Sequence, residues 1–301
     1  MCRLASLLES VPNFSEGRDR SVLDAIGQAM ADAGGRVVDV HADGDHNRSV
    51  FTVVAPAEQL VEALAAGIAV AVARIDLRSH EGVHPRVGAA DVVPIVRFAD
   101  DDDRPERAAR LLARRVAMLG VPVLGYGELG DGRRPAFYRQ GGPGRLAERL
   151  AAGELQPLAG PDELHETAGA VLLGVREPLV AFNIDLDTGD LEVARSIAAA
   201  IRERDGGLPG VQAIGLALRS SGRAQVSTNL IDIDATPLWQ VFSEVERLAG
   251  ERGVGVHGSE LVGLMPASVA AAVAGRALRL PDMAADRVLE VAAAGEFGTA
   301  Q

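Results

Sequence analysis

Leu179-Val-Ala-Phe-Asn-Ile-Asp-Leu186 reads as a strand, and its place at the head of the second half decides the fold. Leu191, Ala194, Ile197 and Ile201 recur at helical spacing directly after it. Strands are expected next at 211–218 and 224–233, joined by Arg219-Ser-Ser-Gly222, a short glycine-containing link that signals a hairpin. Thr236-Pro237 reads as an N-cap with proline at N1, and Leu238, Val241, Phe242, Val245 and Leu248 form the buried stripe of a second helix. Gly253-Val-Gly-Val256 is a further strand, and an alanine-rich helix follows from Pro266. Strand, helix, strand, strand, helix, strand is the split βαβ order of ferredoxin-like folds.

Outward from there, a boundary is expected near 175–178, giving subdomains 1–177 and 178–301. The first begins in the same order. A polar loop, Asn13-Phe-Ser-Glu-Gly-Arg18, precedes a helix that Ser21 and Asp24 start as a capping box and Gly34-Gly35 stops. Arg36-Val-Val-Asp-Val40 and Val50-Phe-Thr-Val-Val54 are strands around the polar loop 41–48. Pro56 opens a helix with Leu60, Leu64 and Ile68 at i+4. Val92 to Val96 is a strand, and Ala108, Leu111, Leu112, Val116 and Leu119 share one face of the helix after Pro105. The acidic run 99–103 suits that helix's N-terminus. Strands follow at 121–125 and 170–174, and 128–160 reads as loops with one short helix. The fold class is therefore α/β (α+β), with two ferredoxin-like α/β subdomains. Their shared order suggests a duplicated unit, despite little residue-level identity.

Of 301 residues, 48% are hydrophobic, enough for a packed core. No apolar run reaches the ~18 residues of a transmembrane helix. The apolar stretch at the N-terminus is too short for a signal peptide, and Cys2 is the one cysteine, so a cytoplasmic protein without disulfides is expected. The net charge of −12 argues against a nucleic-acid partner. An anionic ligand would need arginines gathered locally, and Arg18, Arg48, Arg78 and Arg86 beside the polar loops are the candidates.

The densest polar stretch is 75–95, with His80, His84, Arg78, Arg86, Asp76, Glu81 and Asp91. His80-Glu-Gly-Val-His84 matches the letters of the zinc-protease helix. Gly82 interrupts it, and Pro85 pushes His84 out of the helical region, so no metal is expected. His84 is the leading acid–base candidate, because an imidazole titrates at about 6.5. His41, Asn47 and Arg48 mark a second polar loop, suited to holding a carboxylate or amide. Gly125-Tyr-Gly-Glu-Leu-Gly130 has the letters of a dinucleotide loop, but Asp131-Gly-Arg-Arg-Pro135 follows where a helix is required, so it reads as a turn. The stretch 160–169 supplies glycines, donors and carboxylates before a strand, as a binding loop or a linker.

Several motifs together resemble the formiminotransferase domain family. They are Val11-Pro-Asn-Phe-Ser-Glu-Gly17, Asp45-His-Asn-Arg48, His80-x-Gly-x-His84-Pro-Arg-x-Gly88-Ala, Ala181-Phe-Asn-Ile184, Ala224-Gln-Val-Ser-Thr-Asn-Leu230 and Gly258-Ser-Glu-Leu-Val-Gly-Leu264. The resemblance implies two α/β subdomains whose sheets face each other across a substrate tunnel. It implies transfer of a formimidoyl group from N-formimidoyl-L-glutamate to N5 of tetrahydrofolate, a co-substrate, within histidine breakdown and one-carbon metabolism. It implies a homodimer. His84, directly before Pro-Arg, takes the catalytic place. The folate-binding loop falls on Gly160, Pro161, Asp162, Glu163, Leu164, His165, Glu166, Thr167, Ala168 and Gly169. His41, Asn47, Arg48 and Arg86 are the supporting or substrate-binding residues. Animal members carry an acidic residue in place of His41 and glutamate in place of Val83. The chain is also expected to lack the cyclodeaminase domain of those members. The rival expectations are formyl transfer from N-formyl-glutamate and a folate-binding protein without turnover.

Overall fold

The computed structural model describes residues 7–83, 85–97 and 103–292. Tertiary contacts divide these into two compact units, on either side of Glu177 and Pro178.

In the first unit, β1 (Leu7–Ser10) and β2 (Asn13–Phe14) are two pieces of one strand interrupted at Val11 and Pro12. Asn13 and Phe14, expected in a loop, therefore pair with strands on both sides. α1 (Arg20–Asp32) is capped by Asp19 rather than Ser21. The Asp19 carboxylate accepts both the amide and the hydroxyl of Ser21, at 2.9 and 2.7 Å, so the serine is spent as a donor. β3 (Arg36–Asp43) and β4 (Arg48–Pro56) form a hairpin with a link of only 44–47. His41 thus lies on a strand, opposite Val50, where a loop was expected.

α2 (Ala57–Arg74) buries Leu60, Leu64 and Ile68. β5 (Ala90–Val96) is buried throughout. α3 (Arg104–Ala117) buries Ala108, Leu112 and Val116, whereas Leu111, placed on that face by its spacing, is 41% exposed at the stripe's edge. The acidic run before it lies mostly outside the described residues. β6 (Val123–Gly127) leads to two helices, α4 (Pro135–Arg139) and α5 (Gly142–Ala151), where one was expected. The second starts with Pro143 in its first turn. β7 (Val171–Arg176) completes the unit.

The sheet runs β3-β4-β1/β2-β5-β7-β6, and its last three strands are parallel. On one face α1, α2 and α3 pack over a core in which Phe14 and Phe51 meet edge to face, centroids 5.4 Å apart. On the other, Leu146 and Leu150 of α5 cover Leu124 and Leu172.

The second unit runs β8 (Val180–Leu186), α6 (Leu191–Ile201), β9 (Val211–Ala217), β10 (Ala224–Leu230), α7 (Leu238–Gly250), β11 (Val256–Val262) and α8 (Ala267–Leu278). Thr236 does not cap α7. Its hydroxyl donates to the Pro209 carbonyl at 2.7 Å, and Pro237 takes the cap position. β11 begins later than expected, because Gly253 (φ 68°) turns the chain after α7. The sheet order is β11-β8-β10-β9, all antiparallel. Counted along the unit that is fourth, first, third, second, the ferredoxin-like order. The strands β5, β1/β2, β4 and β3 repeat it, so the duplicated-unit reading stands on topology.

Phe51 is fully buried in the first core. Phe51→Ala should cost about 3–5 kcal/mol, read as a lower urea midpoint at unchanged slope; a loss below about 1 kcal/mol would mean the edge-to-face pair does not anchor this core.

Candidate active site

Three polar segments of the first unit meet at Asn47. Upstream, the Asp43 carboxylate accepts from the backbone amides of Asp45 and His46, both at 2.8 Å, and so closes the hairpin link. Asn47 then adopts a left-handed conformation (φ 47°), which asparagine tolerates better than most residues. Its side-chain oxygen accepts from the Gly17 amide at 3.0 Å, and its side-chain nitrogen donates to the Glu81 carbonyl at 2.9 Å. Its own carbonyl faces His80 Nε2 at 2.9 Å. One residue thus ties the loop after β2, the hairpin link and the loop after α2. Both ends of its amide are engaged with backbone, which makes it a support for the loops. The segments approach closely enough to require glycine twice. A Cβ on Gly17 would lie 2.2 Å from the Asp43 carbonyl oxygen, and one on Gly82 2.3 Å from that of His46.

The electrostatics centre on Asp91, which is 2% exposed. It accepts from the amides of Val87 and Gly88, at 2.7 and 3.3 Å, and pairs with Arg139. Arg48, at the start of β4, donates to the Asn13 side chain. Its pKa is brought down to about 10 by burial and by the Arg139 charge, against the opposing pull of Asp91. Arg86 donates to the His80 carbonyl; burial lowers its pKa as well, with Asp91 opposing. Ser15, His46, Asn47, Arg48, Arg86 and Asp91 line a small cleft. The Arg139 charge acts on Arg48, and Asp91 acts on both Arg48 and Arg86, so positive charge is gathered locally in a chain of net charge −12. Arg48 and Arg86 were legible from the sequence. Arg139 was not, because it meets Asp91 across 48 residues with no motif around it.

The 160–169 loop packs against the stretch 75–89 through its backbone. Thr167 and Ala168 carbonyls accept from the amides of Leu77 and Ala89, at 2.8 and 2.9 Å. His165 and Gly169 exchange two backbone bonds of 2.9 Å, and His165 Nδ1 accepts from the Ala168 amide at 3.1 Å. Glu166 pairs with Arg78 at 2.6 Å. Leu164 packs toward the second core face, Pro161 is half-buried, and Asp162 and Glu163 face solvent. Gly160 (φ 98°) opens the loop. His84 lies outside the described residues. Up to Val83 the chain before it is loop, not the helix that a zinc-protease pair needs. Gly125 to Gly127 end β6 and Glu128 to Gly130 form one 3-10 turn, and 131–134 is turn and loop where a dinucleotide site needs a helix. Among the described residues no three His, Cys, Asp or Glu side chains gather as a metal-holding group, and no helix is long and apolar enough to cross a membrane.

Gly82→Ala should separate the loops, shown by loss of amide protection in 44–47 and 80–83 while the helices stay protected; unchanged exchange would disprove the close contact. Stability should also depend on pH. His80 is held below its ordinary value of 6.5, first by burial and then by the Arg86 charge. The unfolded chain therefore takes up this proton before the folded one does. The resulting stability is complete above about pH 6.5 and drains away as pH falls through the folded value. Melting midpoints should drop as pH falls below about 6.5, and His80→Gln should flatten that drop; parallel curves for both proteins would remove His80 from this role.

The formiminotransferase domain, N-terminal subdomain, matches residues 7–176, and the formiminotransferase domain matches 181–278. A protein named glutamate formimidoyltransferase from Thermoplasma acidophilum is 37% identical, over 95% of this chain and 96% of its own. Another from Streptococcus pyogenes serotype M1 is 36% identical, over 93% and 95%. The formimidoyltransferase-cyclodeaminase of Sus scrofa is 41% identical over 87% of this chain but only 51% of its own length. Matched along both of its α/β units, this chain belongs to the formiminotransferase domain family of transferases.

Proposed function

We propose that the chain transfers the formimidoyl group of N-formimidoyl-L-glutamate to N5 of tetrahydrofolate, giving 5-formimidoyltetrahydrofolate and L-glutamate, as a step of histidine breakdown. The observation that carries this reading is the match to glutamate formimidoyltransferases over nearly the whole of each chain.

The chemistry asks little of the protein beyond proton traffic and placement. N5 attacks the formimidoyl carbon, forming the new C–N bond, and acquires positive charge. A base removes the N5 proton. The glutamate nitrogen then takes a proton as its bond to carbon breaks. His84 serves both steps, as base and then as acid, a contribution of ~10²–10⁴-fold. Holding both substrates in reacting distance adds an orientation term that can be larger.

The remaining residues have supporting roles in this proposal. Arg48 and Arg86 give a substrate carboxylate the favourable field that the acidic chain as a whole denies it. His41 supports them from β3. Asn47 holds the loop that carries His84. The 160–169 loop contacts folate, and its backbone ties to 75–89 keep it beside the catalytic stretch. No metal enters the mechanism. The working form is a cytoplasmic homodimer, with subdomains 1–177 and 178–301 in each chain.

A two-substrate assay with formimidoyl-glutamate and tetrahydrofolate, followed by product absorbance, should show transfer. Transfer from N-formyl-glutamate alone would reassign the donor, and tight folate binding with no transfer from either would make this a binding protein. His84→Ala should fold normally and lose about 10²–10⁴-fold in kcat; full retained activity would take His84 out of the role.

A further inference from the structure

The segment that carries His84 is held on both sides by groups outside the proposed chemistry. On the near side, the Val83 amide donates to the Asp45 carbonyl at 3.3 Å, and Asn47 holds the Glu81 carbonyl. On the far side, Asp91 Oδ1 accepts from the amides of Val87 and Gly88, at 2.7 and 3.3 Å. The Gly88 carbonyl accepts from Ser15 Oγ at 2.7 Å. A Cβ on Gly88 would lie 1.9 Å from the Ala170 carbonyl oxygen, so the backbone is already in close contact there. Residues 87 and 88 follow His84 by three and four places and have little room to move.

Asp91 in turn depends on Arg139. A carboxylate that is 2% exposed needs a counter-charge, and its Oδ2 takes Arg139 Nη2. The arginine comes from α4, which at five residues would be a poor mount alone. Its neighbours pin it. The Tyr138 hydroxyl donates to the Gly125 carbonyl. Arg149 of α5 donates to the Phe137 carbonyl at 3.1 Å and lies over the Phe137 ring, 4.3 Å from its centroid. Asp91, Arg48 and Arg86 line the cleft, with Arg139 outside that lining and its side chain largely buried. The Arg139 guanidinium therefore backs the carboxylate rather than facing the cleft.

We propose that Arg139 is a positioning residue for the transfer: through Asp91 it fixes Val87 and Gly88, and with them the segment that presents His84. The inference rests on His84 being the acid–base group. Without the guanidinium, Asp91 is left buried beside no cation of its own, and its grip on the two amides slackens. A shift of about 1 Å in a reacting group can cost ~10²-fold in rate, with little change in how tightly either substrate is held.

The test compares Arg139→Met, Arg139→Lys and the double variant Asp91→Asn with Arg139→Met. Arg139→Met should lower kcat about ten-fold or more, with KM for formimidoyl-glutamate and for tetrahydrofolate within about two-fold of wild type. Amide exchange at Val87 and Gly88 should quicken about ten-fold or more while α1, α2 and β5 stay protected. Arg139→Lys should recover most of both, because the contact to Asp91 is made by one nitrogen and lysine keeps the charge. The double variant leaves no buried charge unmatched and should fold even where Arg139→Met does not. Its kcat should still be reduced, because a neutral amide oxygen holds two N–H groups less tightly than a carboxylate does. A raised KM at unchanged kcat would make Arg139 a substrate-binding residue and overturn the positioning role. Full kcat in Arg139→Met, or losses that follow Tm alone across the three variants, would overturn it as well. A wild type without transfer sinks the transferase reading instead, and exchange at Val87 and Gly88 still decides whether Arg139 anchors this segment.

Discussion

The carboxamide of Asn47 is the tie on which the polar end of the first unit depends. It spans the Gly17 amide and the Glu81 carbonyl, while its own backbone sits in a left-handed turn that most residues avoid. Loops carry unpaired peptide groups that must find partners when buried. Here three loops meet those needs through one side chain and two glycine contacts. The segment bearing His84 is thereby anchored on the side of Val83, whose amide donates to the Asp45 carbonyl at 3.3 Å.

On that frame sits an electrostatic arrangement opposite in sign to the chain as a whole. Asp91 is fixed by two backbone amides and by Arg139, and it is the carboxylate that opposes the burial of Arg48 and Arg86. A lone buried guanidinium would be expensive, whereas a cluster with one internal counter-charge stays charged and still favours an incoming anion. On the second sheet the Asp185 carboxylate accepts from Gln225, whose own side-chain oxygen stays buried without a partner among the described residues.

Periodicity made the elements legible, and competition for hydrogen bonds displaced their ends. Ser21 and Thr236 have the right residue type for caps, but one donates to Asp19 and the other to the distant Pro209 carbonyl. His41 reads as loop from its polar neighbours Asp43 and Gly44, yet pairing with β4 carries β3 on to Asp43. The sequence of 128–160 shows one short helix where there are two, because glycines interrupt the stretch and the stripe of Leu146 and Leu150 gains meaning only against the sheet face it covers. In the site, Arg48, Arg86, Asn47 and the 160–169 loop stood out as polar clusters at glycine-rich turns. Arg139 did not, because nothing in its local sequence distinguishes it from an ordinary surface arginine.

By itself, the sequence determined the alternation of strands and helices, the split βαβ order of both halves and the motifs of the formiminotransferase domain. These depend on periods of two and about 3.6 residues and on short runs of neighbours, which a linear chain displays. Only the tertiary structure decided which polar groups meet: Arg139 with Asp91 across 48 residues, Gln225 with Asp185 across 40, Asn47 with Glu81 across 34. Strand register and loop closure set such pairs, and they arise from burying both sheets at once rather than from the preference of any one residue.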